Sequence, residues 1–273
     1  MAAGFQELAK DQELALDKDS AKLLNFGARV LYLGPAFGLT PHRNATAVLA
    51  VALDGTIGVA DDPTCNGTSY RTARSVLILP NSLHHLRIDR GRMAFLYVDP
   101  FGRDLAALRM RMHEIGPRAG FDMANEETVI ELFKAIAAHA MTRDQARLAV
   151  RELLGAGAGG TKDARIVAAI RCMRDTPDRS HRLAELGKRA RLSPSRFLHL
   201  FKAETGVPLR RYRIWNRIGA ASRAIAEGRT LTEAAHGAGF ASSAHFSTAF
   251  RDMFGMMPSE LFAALRSDAP IHA

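Results

Sequence analysis

The spacing of apolar positions changes character along this chain. Over residues 29–98 they come in short runs, RVLYLG, AVLAVALDG, TIGVA, RSVLILPN and MAFLYVDP, rich in Val, Leu and Ile. Turn residues separate the runs, and the pattern predicts β-strands that close into a small barrel or sandwich. Asp54-Gly55 and Asp89–Arg92 each stand between two runs and read as hairpin turns. From about Glu126 the period becomes helical. Val129, Leu132, Phe133, Ile136 and Ala137 form one stripe, and Ala146, Leu148, Val150, Leu153 and Leu154 a second. The stripes predict a helical pair over about 125–154, packed on its own barrel or serving as a dimer seam.

After the run Gly155-Ala-Gly-Ala-Gly-Gly160 no strand pattern remains. Helices are predicted at about 163–174, 182–190, 194–204, 208–226, 231–238, 243–254 and 258–265, with Pro194, Pro208 and Pro258 near helix starts. The chain divides on this evidence into residues 1–154, a flexible linker over 155–160, and an all-α region over 161–273.

Charge falls on the same boundary. The net charge of +9 lies wholly in the last 113 residues, which hold 19 Lys+Arg against 10 Asp+Glu; the first 160 residues hold 18 of each. A neutral domain joined to a basic one points to a polyanion as partner of the second. No run of about 18 apolar residues suggests a membrane span, and the polar start MAAGFQELAKDQELALDKDS carries no apolar signal core, so a cytoplasmic location is expected. Cys65 and Cys172 match no metal or redox spacing and read as inert thiols.

The basic region contains a repeat. Phe197-x-x-Leu-Phe201-Lys202-x-x-x-Gly206 recurs as Phe246-x-x-Ala-Phe250-Arg251-x-x-x-Gly255, offset by 49 residues. Each copy follows a short helix and a tight turn, a helix-turn-helix pattern present twice, with PLRRYRIWNRIGAASRAIAEG between them as a rigid connector. The phenylalanines occupy i and i+4 positions that face inward. The opposite face carries Ser195, Arg196, His199 and Lys202 in one copy, and Ala244, His245, Thr248 and Arg251 in the other. Such a face hydrogen-bonds, is basic and lacks carboxylates. It suits a helix lying in a major groove, and two on a stiff connector suit successive grooves.

The motifs LSPSRFLHLFKAETG, PLRRYRIWNRI and AHGAGFASSAHFSTAFRDMFGMMPSEL resemble the DNA-binding domain of AraC/XylS transcription regulators, over about residues 163–266. The resemblance implies an α+β chain of two domains: a cupin-like N-terminal β-barrel with a helical hairpin, and a C-terminal all-α domain with two helix-turn-helix motifs joined by a long helix. It implies base contacts from Ser195, Arg196 and His199 in the first recognition helix, and from Ser243, Ala244, His245 and Thr248 in the second. Ala244 has little reach, so His245 and Thr248 would carry the second reading. Lys202, Arg210, Arg211, Arg213 and Arg251 are cast as phosphate contacts that set register. The partners implied are double-stranded DNA, a second copy of the chain, a small-molecule effector and RNA polymerase.

For the N-terminal domain the resemblance implies a sensor. His42, His84 and His85 stand where an effector pocket would be lined. A metal site is not expected, because two imidazoles from separate strands without a nearby carboxylate do not complete a Zn or Fe site. No cofactor is expected, and no nucleophile–base set or carboxylate pair suggests catalysis. Two alternatives stand beside the sensing regulator: a ligand-independent dimeric regulator, and a metal-dependent cupin enzyme with an appended DNA-binding domain. Trp215 reads as a core anchor of the connector, and Met256-Met257 as packing beneath a last turn.

Overall fold

The structure is a computed structural model that describes residues 21–26, 29–62, 64, 69–88, 91–99, 103–155, 162–176, 179 and 181–266. The acidic tail 1–20, Cys65 and linker residues 156–160 lie outside the described residues. The chain runs through β1 (Lys22–Asn25), β2 (Arg29–Pro35), β3 (His42–Arg43), β4 (Ala47–Ala52), β5 (Ile57–Ala60), β6 (Tyr70–Ala73), β7 (Ser75–Ile78), β8 (Leu83–His84), β9 (Leu86–Arg87) and β10 (Arg92–Val98). Then come α1 (Asp104–Arg111), β11 (Met112–Ile115), β12 (Ala119–Met123), α2 (Glu126–Ala137) and α3 (Arg143–Leu154). The C-terminal region is helical: α4 (Ala164–Asp175), α5 (Leu183–Arg189), α6 (Pro194–Thr205), α7 (Leu209–Ala226), α8 (Leu231–Gly237), α9 (Ser243–Phe254) and α10 (Pro258–Arg266).

The strands form an antiparallel seven-stranded sheet in the order β1-β2-β10-β4-β7-β12-β11, with a three-stranded sheet β6-β5-β9 and a two-stranded sheet β3-β8. Because side chains alternate along a strand, the inner strands β2, β10, β4 and β7 of the large sheet each feed two cores. Leu31, Leu33, Leu49, Val51, Leu77 and Leu96 pack under Val129, Ile130 and Phe133 of α2 and Ala146, Val150 and Leu154 of α3. The helical pair therefore covers its own sheet. Of its predicted second stripe, Leu148 is turned outward.

The other face of the sheet, including Tyr32, Val48, Ala50, Val76, Ile78 and Phe95, belongs to a core that does not stop at the domain boundary. It continues through Ile57, Val59 and Leu86 of the small sheet into Val207, Ile218, Ala221, Phe246, Phe250 and Met253 of the helical region. A third, separate core holds Ile166, Ile170, Leu186, Phe197, Phe201, Leu209 and Tyr212. The second helix-turn-helix is thus fused to the β domain, while the first has its own interior.

Both predicted hairpins are corrected. Asp54-Gly55 links β4 to β5, which belong to different sheets, so Gly55 (φ 80°) turns the chain from one layer to the next instead of pairing its flanks. The run ending at Arg92 likewise connects β9 of the small sheet to β10 of the large one; Asp89 and Arg90 themselves lie outside the described residues. The short strands β1, β3, β6, β8, β9, β11 and β12 and the helix α1 complete the domain beyond the elements that periodicity predicted.

Candidate nucleic-acid interface

Each helix-turn-helix is built by local chemistry. In the first, α5 turns through Arg191, which takes the left-handed conformation (φ 54°), into α6. Ser193 caps α6 by accepting from the Arg196 N–H, Pro194 occupies its first turn, and Gly206 (φ 73°) ends it. In the second, a Thr230/Glu233 capping box starts α8, Gly239 (φ 79°) makes the turn, Ser242 caps α9 through the His245 N–H, and Gly255 (φ 75°) closes it. The leading helices are offset by 48 residues and the trailing ones by 49, so the second turn is one residue longer. The tighter first turn explains Gly187. A Cβ there would lie 2.9 Å from the Leu192 carbonyl oxygen, whereas Ala235 stands at the matching place in the longer copy.

The two trailing helices bury one face and expose the other. Phe197, Phe201 and Phe246 have no exposed surface and Phe250 has 1%. Ser195, Arg196, His199 and Lys202 of α6 are exposed, as are Ala244, His245, Thr248 and Arg251 of α9; Ser243 is half-buried. His245 is held edge-on to the Phe240 ring (centroids 5.3 Å apart), and its Nδ1 accepts from the Ala241 N–H at 3.4 Å. Nε2 is left as an outward donor.

The predicted phosphate contacts divide into two groups. Lys202, Arg210 and Arg251 are exposed. Arg211 and Arg213 are half-buried and already bonded. Arg211 donates to the carbonyl oxygens of Arg43 (2.6 Å) and Asp252 (3.1 Å), and Arg213 donates to that of His181. Burial lowers the pKa of both, helped by Arg43 beside Arg211 and Arg217 beside Arg213.

The three histidines assigned to an effector pocket are placed differently. His42 and His84 face each other across the β3–β8 pair, rings 4.2 Å apart, and both are buried. His42 Nδ1–H donates to the Thr40 carbonyl (2.7 Å) and His84 Nδ1–H to that of Ser82 (3.0 Å), while His84 Nε2 accepts from Asn44 (3.2 Å). Burial pushes their pKa values down to about 4 and about 3, so both are neutral. His85 is separate and bonds the Tyr70 hydroxyl at 3.0 Å. The pair lies against the end of α9: Thr40 donates through N and Oγ1 to the Gly255 carbonyl (2.8 and 3.0 Å), and the Ala45 N–H meets Met253 Sδ at 3.1 Å. Among the described residues no group of three His, Cys, Asp or Glu could hold a metal.

Two cavities lie at the domain junction. One, of about 170 Å³, is apolar, lined by Tyr32, Phe95 and Tyr97 of the sheet and by Trp215, Phe254 and Arg223 of the helical region. Trp215 is an anchor there, tilted against Tyr97 and Phe254 at 5.8 Å from each. The other, an open groove of about 480 Å³, runs between α7 and α9. Neither is lined by His42, His84 or His85. Sequence reasoning missed both, since each is formed by residues far apart in the chain. No described helix is long and apolar enough to cross a membrane.

Residues 186–264 match a family described as "Helix-turn-helix domain". A putative AraC-like transcription regulator of Streptomyces lividans is 36% identical over 103 residues, 37% of this chain and 34% of that protein. The probable transcriptional regulator LumQ of Photobacterium leiognathi is 38% identical over 78 residues, 28% of this chain and 32% of that protein. The chain thus spans about a third of the length of the curated relatives it matches. Among solved structures, wild-type ToxT from Vibrio cholerae strain SCE256 with bound unsaturated fatty acid aligns at a TM-score of 0.58 and 15% identity, over 91% of this chain and 99% of that one. ToxT from Vibrio cholerae O395 bound to a methylnaphthalenyl butenoic acid aligns at 0.55 and 16%, over 88% and 100%. Residues 186–264 therefore form a helix-turn-helix domain similar to that of AraC-like transcription regulators, within a two-domain chain that has the fold of ToxT.

Proposed function

We propose that this chain is a transcription regulator that binds specific double-stranded DNA through α6 and α9, acting by binding and without catalysis. One observation carries the reading: two capped helices in register, each with buried phenylalanines behind an exposed face of hydrogen-bonding and basic residues, with Asp252 the one exposed carboxylate on α9. Arg196 and His199 on α6, with His245 and Thr248 on α9, would read base edges; Ser195, Ser243 and Ala244 flank them. Lys202, Arg210 and Arg251 would grip phosphates. Arg213, turned into its own domain, supports the connector instead. We take 1–154, 155–160 and 161–273 as the sensor or dimerisation domain, the linker and the DNA-binding domain.

Selection of bound duplexes from a random pool by the full chain tests this. A consensus spanning about two helical turns per subunit is expected, and absence of any enrichment would sink the proposal. Ala for Arg196 or His199 should relax preference at particular positions by about 1–3 kcal/mol. Ala for Lys202 should weaken all sequences alike and reduce the salt slope.

The apolar junction cavity, with Arg223 on its wall, fits an apolar small molecule bearing an acidic group, the kind of ligand bound in the ToxT structures. Its volume favours a second reading too. At about 170 Å³ it falls below the roughly 300 Å³ usual for ligand pockets, which suits a ligand-independent regulator whose β domain only docks and pairs. A rise in melting temperature with long-chain fatty acids, lost on Arg223→Ala, supports sensing; no rise supports the second reading. A homodimer joined through the outer face of α2–α3, where Leu148 is exposed, is tested by sedimentation of wild type and Leu148→Glu.

A further inference from the structure

The open groove beside the second recognition helix has a wall that the helical region does not supply. Along it lie Arg210 and Arg211 from α7 and His245 and Thr248 from α9, and Asn81 of the β domain completes the rim. Asn81 sits at the tip of the β7–β8 turn in the left-handed conformation (φ 59°), which asparagine tolerates better than most residues. Its N–H donates to the Asn44 carbonyl at 2.8 Å, and its own carbonyl accepts from Arg43 Nη1 at 3.1 Å. Arg43 is exposed, on β3. The Arg211 guanidinium is bonded to the Arg43 carbonyl, and the Arg43 side chain reaches the rim residue Asn81, so Arg210 and Arg211 line the groove with Arg43 beside its rim. Asp252 is the one carboxylate among the residues lining it.

Arg210 and Arg211 against the single Asp252, with Arg43 at the rim, leave this groove net positive. Burial first, and then the neighbouring Arg43, lower the pKa of Arg211 against the opposing pull of Asp252; a bound anion would relieve the part due to Arg43. The anion should be singly charged and presented beside His245 and Thr248, which on the proposed reading face base edges. A backbone phosphodiester flanking the groove read by α9 satisfies both conditions, and guanidinium forks suit it.

We propose that the β domain is part of the DNA-binding surface, with Arg43 and Asn81 joining Arg210 and Arg211 to hold a backbone phosphate beside the second recognition helix. The inference rests on the DNA-binding reading above. It makes this domain a contributor to affinity as well as a partner in docking.

Binding of a selected duplex by the full chain, followed across salt concentrations, tests it. Arg43→Ala should lower the slope of log affinity against log salt by about 0.9, and so weaken binding about fivefold near 0.15 M salt, without altering base preference. Arg43→Lys should restore the slope, and Asn81→Asp, which keeps the turn but adds negative charge, should weaken binding as Arg43→Ala does. Melting temperatures of the variants confirm that each is folded; if Arg43→Ala is not, Arg43→Lys against Asn81→Asp gives the same comparison. Equal affinity and slope in wild type and variants would overturn the inference while leaving the DNA-binding reading intact. Failure of the wild type to bind any duplex would remove that reading first. If inorganic phosphate at fixed ionic strength raises the melting temperature of wild type but not of Arg43→Ala, and DNA binding is unchanged, the site belongs to a free anion and the proposal fails.

Discussion

Gly206 and Gly255 occupy the same place in the repeat, with the same left-handed backbone, yet their surroundings differ. A Cβ on Gly206 would meet only Pro80, at 3.9 Å; one on Gly255 would meet His42 Nδ1 at 2.5 Å and the Thr40 carbonyl at 2.6 Å. Gly206→Ala should therefore cost only the backbone penalty of about 1–2 kcal/mol. Gly255→Ala carries that penalty and also pushes β3 away, so urea denaturation should show it the more damaging by at least about 1 kcal/mol. The neighbouring histidines give a pH prediction. Their folded pKa values, about 4 and about 3, lie below the ordinary 6.5, so the unfolded chain takes up protons first. Their contribution to stability is complete above about pH 6.5 and is lost as pH falls through the folded values. Melting temperature should drop by at least about 4 °C between pH 7 and pH 5, and His42→Gln should flatten the fall.

At the scale of elements, the helical region was legible and the β domain was legible in part. Capping serines, prolines at helix starts and glycines at helix ends each act within a few residues, so the predicted helices agree with α4–α10 to within a residue or two. Strand pairing is set by distant partners. Asp54-Gly55 has hairpin chemistry, but β4 finds β7 and β10 instead of β5, and no local pattern announces that. The exposed faces of α6 and α9 could be read because burying Phe197, Phe201, Phe246 and Phe250 fixes what lies opposite. The groove holding Asn81 could not, since it joins residues more than a hundred positions apart. The repeated phenylalanines also predict unequal outcomes. Phe197→Ala should cost about 3–5 kcal/mol within the first helix-turn-helix alone. Phe250→Ala opens the core shared with the β sheet. Hydrogen exchange should therefore show faster exchange confined to α4–α6 and the start of α7 in the first variant, and extending into β4, β7 and β10 in the second.

Over the whole molecule, apolar packing and covalent order disagree about where one unit ends. Sequence places a joint at 155–160, but the interior that begins beneath Tyr32 and Phe95 continues to Met253, and the Arg174–Asp99 ion pair adds a second tie between the halves. An effector lodged between Tyr97 and Trp215 would therefore act on the second helix-turn-helix first, and reach the first through α7 and the Arg174–Asp99 pair. The same continuity limits what can be built from the protein. A chimaera spliced at the glycine run, with the helical half grafted onto an unrelated sensor, would leave Ile218, Phe246 and Phe250 against a surface never shaped to receive them, and should come out of cells aggregated unless the sheet's inner face is transplanted along with it.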